Sequence, residues 1–295
     1  MTPQKLAEKY KKLIKERTPE VTTCHTDKEH FYQVKGFDEK FSSVTALQYV
    51  IKDQGIEIFQ MNEAMRYIKV HYPEFNPENI DKHTELAASS GIVVRDTAGN
   101  WGTSIHDYRC TYYQEWIDTG VKPSHTIESL ALADNSPLEV ISGCAAIDKF
   151  LLDTGVIPLA VELKLYSTKW KVAGTGDEIY LWPFTEKIEV NDPVMGNGYK
   201  TKTHWEVVFC DLKSSNQYKN FYWVQVCAYV KMFMEIFKIR PKRHVILKVS
   251  KMDRTYSLEW IKNIPEQIKI VSLLVNLRDS LKKLNQDRKK EVIVI

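Results

Sequence analysis

The first candidates for chemistry are charged residues that end apolar, strand-like segments. Asp211 and Lys213 close the segment 204–212, and residues two apart on a strand project to the same side. Asp177 ends the segment 174–177, whose two glycines let the backbone bend or approach a ligand closely. A carboxylate and an ammonium group on one side of a strand suit a site in which one holds a metal ion and the other contacts a phosphate.

The two carboxylates predict a bound cation. Acidic groups on neighbouring strands repel each other and resist burial unless a cation lies between them. Oxygen ligands of this kind suit Mg²⁺ or Mn²⁺. The acid-x-lysine triple at 211–213 carries no information alone, because such triples occur in this chain about as often as chance predicts. The prediction therefore depends on Asp177 and Asp211 together.

Helices are expected to bring further polar side chains to these acids. Gln225 and Tyr229 are four residues apart and share one face of a helix predicted over 222–239. His106 is expected within the first turns of a helix that begins at Gly102. Each has a structural alternative: Tyr229 as a core aromatic, Gln225 as a helix former and His106 as a structural histidine.

The order of these segments along the chain resembles a known family. The segments are Gly102-x-x-x-His106, Glu162 in an apolar strand, Ala173-Gly-Thr-Gly-Asp177, Asp211-Leu-Lys213-Ser and Gln225-x-x-x-Tyr229. Together they resemble the RecB-type branch of the PD-(D/E)xK nuclease superfamily, which includes stand-alone phage and mitochondrial exonucleases. The resemblance covers about residues 102 to 250, and Ser43-Val-Thr45 resembles a weaker signature of the exonuclease subgroup.

The resemblance implies a role for each matching residue. His106, Asp177 and Asp211 would ligate the divalent metal together with the backbone carbonyl of Leu212. Lys213 would orient or deprotonate the attacking water, for which a lowered pKa would suit it.

The remaining matching residues are expected to support the metal and the substrate. Glu162 would support the metal-bound water or a second ion, while Gln225 and Tyr229 would position the substrate strand and the catalytic lysine. Nucleic-acid contacts are expected from Gln225, Tyr229, Ser214, Lys164 and Lys171. For the two lysines the structural alternative is a solvated strand edge.

The activity implied by the resemblance is metal-dependent hydrolysis of DNA phosphodiester bonds. An exonuclease acting on single-stranded DNA or DNA ends is expected, in replication, recombination or repair, with proteins of those processes as partners. The cofactor would be Mg²⁺ or Mn²⁺. No iron–sulfur cluster is expected because no cysteine follows Cys227, and no nucleotide cofactor because the chain lacks GxxxxGK[ST].

Two alternatives remain open on the sequence alone. One is a nuclease-fold protein that binds DNA as an accessory without cutting it. The concentration of carboxylates where phosphates must lie disfavours this alternative. The other is an all-helical HD-type phosphohydrolase, suggested by His106-Asp107, which leaves the strands at 159–212 unexplained.

Composition limits the classes of protein to which this chain can belong. The 295 residues are 43% hydrophobic and 27% charged, which is typical of a folded protein and excludes a disordered tail. A net charge of +3 is too small to identify a polyanionic partner. The five cysteines include no CxxC pair, and neither a membrane span nor a presequence is predicted, so a cytoplasmic location is expected, bacterial or in the host of a phage.

Periodicity predicts an α/β fold with a mixed central sheet flanked by helices. A restriction-endonuclease-like core is expected over 101–295, preceded by a helical N-terminal region, 1–100, with a strand-guiding role as one interpretation. Strands are predicted over 159–166, 171–182, 204–212, 244–249 and 291–295, with a loop at 191–198. Helices are predicted over 1–20, 43–72 with a break at Gly55, a short part of 73–98, 102–120, 137–152, 222–239 and 264–285.

Overall fold

The computed structural model describes residues 1–26, 30–50, 55–192, 196–214 and 222–291. The strand predicted at 291–295 therefore lies almost entirely outside the described residues, as does the centre of the predicted loop 191–198. None of the helices in the described ranges is long and apolar enough to cross a membrane.

A mixed sheet forms the centre of the fold. Its described strands are β1 Val21–His25, β2 His30–Val34, β3 Lys40–Ser43, β4 Ile157–Ser167, β5 Val172–Asp192, β6 Gly196–Lys213, β7 Arg243–Val249 and β8 Tyr256–Trp260. They are ordered β1-β2-β3-β5-β6-β7-β8, with β4 paired to β5. The β3–β5 and β6–β7 pairs are parallel and the other pairs are antiparallel. The predicted α/β class with a mixed sheet is confirmed.

Helices cover both faces of this sheet. They are α1 Pro3–Arg17, α2 Gly55–His71, α3 Ile80–Thr119, α4 Ile127–Ala133, α5 Leu138–Thr154, α6 Tyr222–Phe237 and α7 Ile264–Glu291, with 3-10 turns at Val44–Val50 and Tyr72–Glu74. One apolar layer lies under α1, α6 and α7 and includes Val207 and Phe209 of β6. The opposite layer lies under α3, α4 and α5 and includes Val208 and Cys210. Alternate residues of one buried strand thus serve two cores.

The hairpin of β5 and β6 extends well beyond the predicted strands. Its register continues from Glu178↔Cys210 to Asp192↔Gly196, so most of the predicted loop belongs to the strands. The side chains at 185–189 and 199–203 are exposed, and no long apolar alternation marks this part in the sequence. Cross-strand pairs such as Glu186 opposite Lys202 support it instead.

Helix α3 corrects the predicted boundary near residue 100. It runs without interruption from Ile80 to Thr119, so Gly102 and His106 lie inside the helix and not at its start, and 73–98 is not a connector with only a short helix. A glycine weakens a helix by about 1 kcal/mol relative to alanine but does not end it. The predicted end is correct, because Gly120 caps the helix with φ +73°.

The N-terminal region, predicted to be helical, also contains strands. Strands β1, β2 and β3 lie within it, and Ser42 of β3 pairs with Val172 of β5. These short strands carry many polar residues, so hydrophobic periodicity did not mark them. The predicted amphipathic first helix is confirmed by α1, which buries Ala7 and Ile14.

Two helical glycines have opposite surroundings and provide a test of the packing. A Cβ atom at Gly143 of α5 would collide with the fully buried side chain of Ile105 on α3, whereas Gly99 of α3 has open space around it. We expect Gly143→Ala to lower the free energy of unfolding by about 1–3 kcal/mol through overpacking. Gly99→Ala should raise it by up to about 1 kcal/mol. Urea unfolding followed by circular dichroism measures both, and equal effects would contradict this packing.

Candidate metal centre

Three potential metal ligands from three elements converge and form what we call the ligand group. The ligand atoms of His106, Glu162 and Asp177 all lie within 4.8 Å of one another. The strand register explains two of them: Val161 pairs with Glu178 and Leu163 with Gly176, so Glu162 of β4 lies across from Asp177 of β5. His106 is supplied from the middle of α3.

The backbone of Glu162 is unusual for a strand residue. Its φ is +49°, in the left-handed region that non-glycine residues seldom occupy. Val161 packs in the layer under α3 and α5, whereas Leu163 packs in the layer under α1 and α6, although residues two apart normally share a face. Such strained backbone costs about 1–3 kcal/mol and is concentrated at functional sites.

Asp177 is held as a buried carboxylate. Its Oδ2 accepts a hydrogen bond from the backbone N–H of Leu212 at 2.7 Å. Burial alone would raise the pKa of Asp177, but the charges of Lys213, His106 and Arg109 outweigh burial and hold the pKa below its usual value. An ionised carboxylate is the form that binds a divalent cation.

Asp211 and Lys213 face each other as the strand spacing predicts. Lys213 Nζ lies 2.5 Å from Asp211 Oδ2, and the Asp211 side chain is fully buried. Burial raises the pKa of Asp211 to about 6, with Asp177 adding to the increase and Lys213 opposing it. Asp211 Oδ1 accepts no hydrogen bond from the described residues. Asp211, expected as a ligand, is thus next to the lysine and outside the group of three, whereas Glu162, expected in a supporting role, is inside it.

Lys213 is held in its charged form. Burial lowers its pKa, but Asp211 and Asp177 outweigh burial and raise the pKa above its usual value. The lowered pKa expected for a lysine beside a bound cation stays a prediction. A lysine whose charged form is favoured suits the neutralisation of a phosphate.

Gln225 and Tyr229 share one helix face, as predicted. Gln225 Nε2 donates to the Tyr229 hydroxyl at 3.3 Å. The Tyr229 ring is buried and stacks on Phe209 with centroids 6.2 Å apart, so the core interpretation also holds. A Cβ atom at Gly174 would lie 2.7 Å from Tyr229 Cε1, and this glycine therefore lets the ring lie directly on β5.

Ser214 lies where α3 crosses the end of β6. A Cβ atom at Gly102 would be 2.8 Å from Ser214 Oγ, so the glycine of the Gly102-x-x-x-His106 segment permits this close crossing. The crossing connects the helix that supplies His106 to the strand that supplies Asp211. The segments 102–106 and 211–214, which are far apart in the sequence, therefore lie next to each other in the structure.

The two predicted lysine contacts have different surroundings. Lys164 Nζ donates to Thr175 Oγ1 at 2.8 Å, two residues before Asp177. Lys171 forms an ion pair with Glu39 and its side chain is 61% exposed, which agrees with a solvated edge. Lys164 therefore contacts the strand that carries Asp177, whereas Lys171 pairs with Glu39.

Two fully buried residues beside the group were not predicted from the sequence. Arg109 Nη1 lies 2.5 Å from Glu178 Oε1, and its Nη2 donates to Glu162. Burial raises the pKa of Glu178 to about 8, and the charge of Arg109 opposes the increase. The sequence did indicate that these two residues lie near the site, because Arg109 is one turn after His106 and Glu178 directly follows Asp177.

No protein-family model matches this chain, and a comparison with curated proteins finds no match either. Any statement of function for this chain therefore depends on the geometry and chemistry of the site.

Loss of the arginine should destabilise the fold through the acid left behind. Arg109→Met leaves the Glu178 carboxyl buried without its hydrogen-bonding partner, so we expect the free energy of unfolding to fall by about 1–3 kcal/mol. Glu162 is partly exposed and can be hydrated. Adding Glu178→Leu should therefore restore most of the loss, as measured by urea unfolding. A double variant as unstable as Arg109→Met would show that the unpaired buried acid is not the cause.

Proposed function

We propose that this protein is a metal-dependent DNA nuclease with a restriction-endonuclease-like core of the PD-(D/E)xK type. One observation carries the proposal. His106, Glu162 and Asp177 present their ligand atoms within 4.8 Å of one another, beside an acid–lysine pair at the end of β6. Carboxylates, a histidine and a lysine in one place are what phosphoryl hydrolysis assisted by a metal requires.

The donor set fits a hard divalent cation. The two carboxylates suit Mg²⁺ or Mn²⁺, and the imidazole nitrogen favours Mn²⁺ of the two because Mn²⁺ is the softer ion. Asp211 Oδ1, buried and without a hydrogen bond from the described residues, supplies a further oxygen next to this set. The Leu212 carbonyl stays a predicted ligand. When bound, the cation would supply Lewis-acid activation of water and of the scissile phosphate.

The chain's own residues would then bind and orient the substrate. The ammonium of Lys213, charged and held by Asp211, would neutralise a phosphate oxygen as negative charge develops. Gln225 fixes the Tyr229 hydroxyl, and the pair would orient the strand and Lys213. Arg109 would keep Glu162 turned toward the ligand group through its ion pair.

The finer parts of the proposal come from the resemblance alone. They are exonucleolytic action on single-stranded DNA or DNA ends, a cytoplasmic location, and partner proteins of replication or recombination. The rival is a DNA-binding accessory protein that does not cut. The buried acids disfavour it, because a phosphate is repelled from carboxylates that no cation neutralises.

Cleavage of an end-labelled single-stranded oligonucleotide tests the proposal. With Mn²⁺ or Mg²⁺, wild type should release label and EDTA should stop it, while Asp177→Asn and Lys213→Ala should each lower the rate roughly 100-fold or more. Asp118→Asn and Lys149→Ala make the same chemical changes on the surface and should cleave like wild type. The product ladder reports the direction of cleavage. Substrates that survive in every metal, with duplex DNA and RNA included, would refute the nuclease assignment.

Metal binding provides a separate test of the ligand group. Calorimetric titration with Mn²⁺ should show a site in wild type, and Glu162→Gln or Asp177→Asn should weaken binding by more than the roughly 10- to 100-fold that outer-shell changes cost. Asp118→Asn is again the control. A protein that binds Mn²⁺ and DNA but never cuts would support the accessory alternative.

A further inference from the structure

A basic groove lies at the opposite end of β6 from the metal centre. It has a volume of about 480 Å³ and is bounded by α1, by residues 205–207 of β6 and by the connection from α6 to β7. Residues 205 and 211 are roughly 20 Å apart along an extended strand. The groove is therefore separate from the site that holds Asp211.

Positive charge dominates the groove. Its basic residues are Lys9, Arg17, Lys238, Arg240 and Lys242. Glu206 is its one acidic residue, and that carboxylate is already paired with Lys242 at 3.3 Å and Arg243 at 3.1 Å. The groove thus keeps a surplus of positive charge that its own acid does not neutralise.

Helix capping explains only part of this charge. Cations stabilise the carboxyl end of a helix, and Arg17 Nη1 donates to the carbonyl of Phe237 at 2.7 Å. The side chains of Lys9, Lys238 and Arg240 make no hydrogen bond or ion pair with the described residues. Three neighbouring cations left unneutralised, in a chain with 38 acidic residues, indicate an anionic ligand.

Aromatic rings in the groove indicate which class of anion it binds. Tyr10 and Trp205 line it and are half-buried, each with one side packed against the core layer under α1 and α6. A small inorganic anion uses charge but not rings. A cationic groove with aromatic rings is the combination that holds single-stranded nucleic acid, because phosphates bind the cations and bases stack on the rings.

We infer that this groove binds single-stranded nucleic acid, as a contact outside the metal centre. Lys9, Lys238 and Arg240 bind backbone phosphates, and Trp205 with Tyr10 stacks the bases. The inference rests on the proposed function only for the identity of the strand as substrate or product. Binding itself needs no metal.

Fluorescence anisotropy of a labelled single-stranded oligonucleotide in EDTA tests this inference. Lys9→Glu and Arg240→Glu should each weaken binding about fivefold to tenfold and reduce the dependence on salt. Lys15→Glu makes the same charge change on the exposed, opposite side of α1 and should leave binding within about twofold. Trp205→Leu should weaken binding by roughly tenfold, whereas Trp205→Phe should retain most of it because the phenyl ring still stacks. Thermal unfolding verifies that each variant is folded.

Several results would overturn the inference. Equal losses in Lys15→Glu and Lys9→Glu would show that overall charge and not the groove attracts the strand. Inorganic tripolyphosphate that competes as well as an oligonucleotide, with no effect of Trp205→Leu, would show a site for free polyphosphate. Absence of strand binding by wild type in EDTA would remove the groove's role and leave the nuclease proposal to its own cleavage assay.

Discussion

The guanidinium of Arg109 forms ion pairs with Glu178 on β5 and Glu162 on β4, and these contacts hold helix α3 against the sheet. The arginine is fully buried, so its charge is acceptable only because two acids surround it. His106 lies one turn earlier on the same helix face. The position of the imidazole relative to the acids therefore depends on this buried contact, and the carboxylate of Glu162 belongs to both the ion pair and the ligand group.

Charge balance across the end of the sheet explains how so many acids lie close together. Asp177, Glu178 and Asp211 are all buried, and each is next to a cation or a backbone donor. Arg109 balances the charge of the acids on the face under α3, and Lys213 balances the charge of the acids on the face under α6. The two cations lie on opposite faces of one sheet because Asp177 and Glu178 are consecutive residues of a strand. A divalent cation would complete the compensation between Asp177 and Glu162.

Sequence patterns predicted the elements whose burial is regular and failed where it is not. Strands β4, β6 and β7 were located because buried apolar residues run through them, and α5 and α6 because their apolar residues recur at helical spacing. Strands β1 to β3 and the exposed part of the β5–β6 hairpin lack that signal. Strand β8 has it over five residues only, in which apolar and polar residues alternate, and was not predicted. The proximity of Asp211 and Lys213 follows from strand geometry alone. The role of Arg109 was missed, because its partners are 53 and 69 residues away in the chain and only its position one turn after His106 indicates it.

The continuity of α3 has a consequence for changes in chain length. Each residue inserted in a helix rotates the later part of the helix by about 100° and advances it by about 1.5 Å. One extra residue between His106 and Arg109 would turn the imidazole away from the acids while the arginine kept its place. Insertions before Gly102 would instead lengthen the part of the helix that packs against α2 and leave the ligand group unmoved. Tolerance to insertion should therefore change abruptly along this single helix.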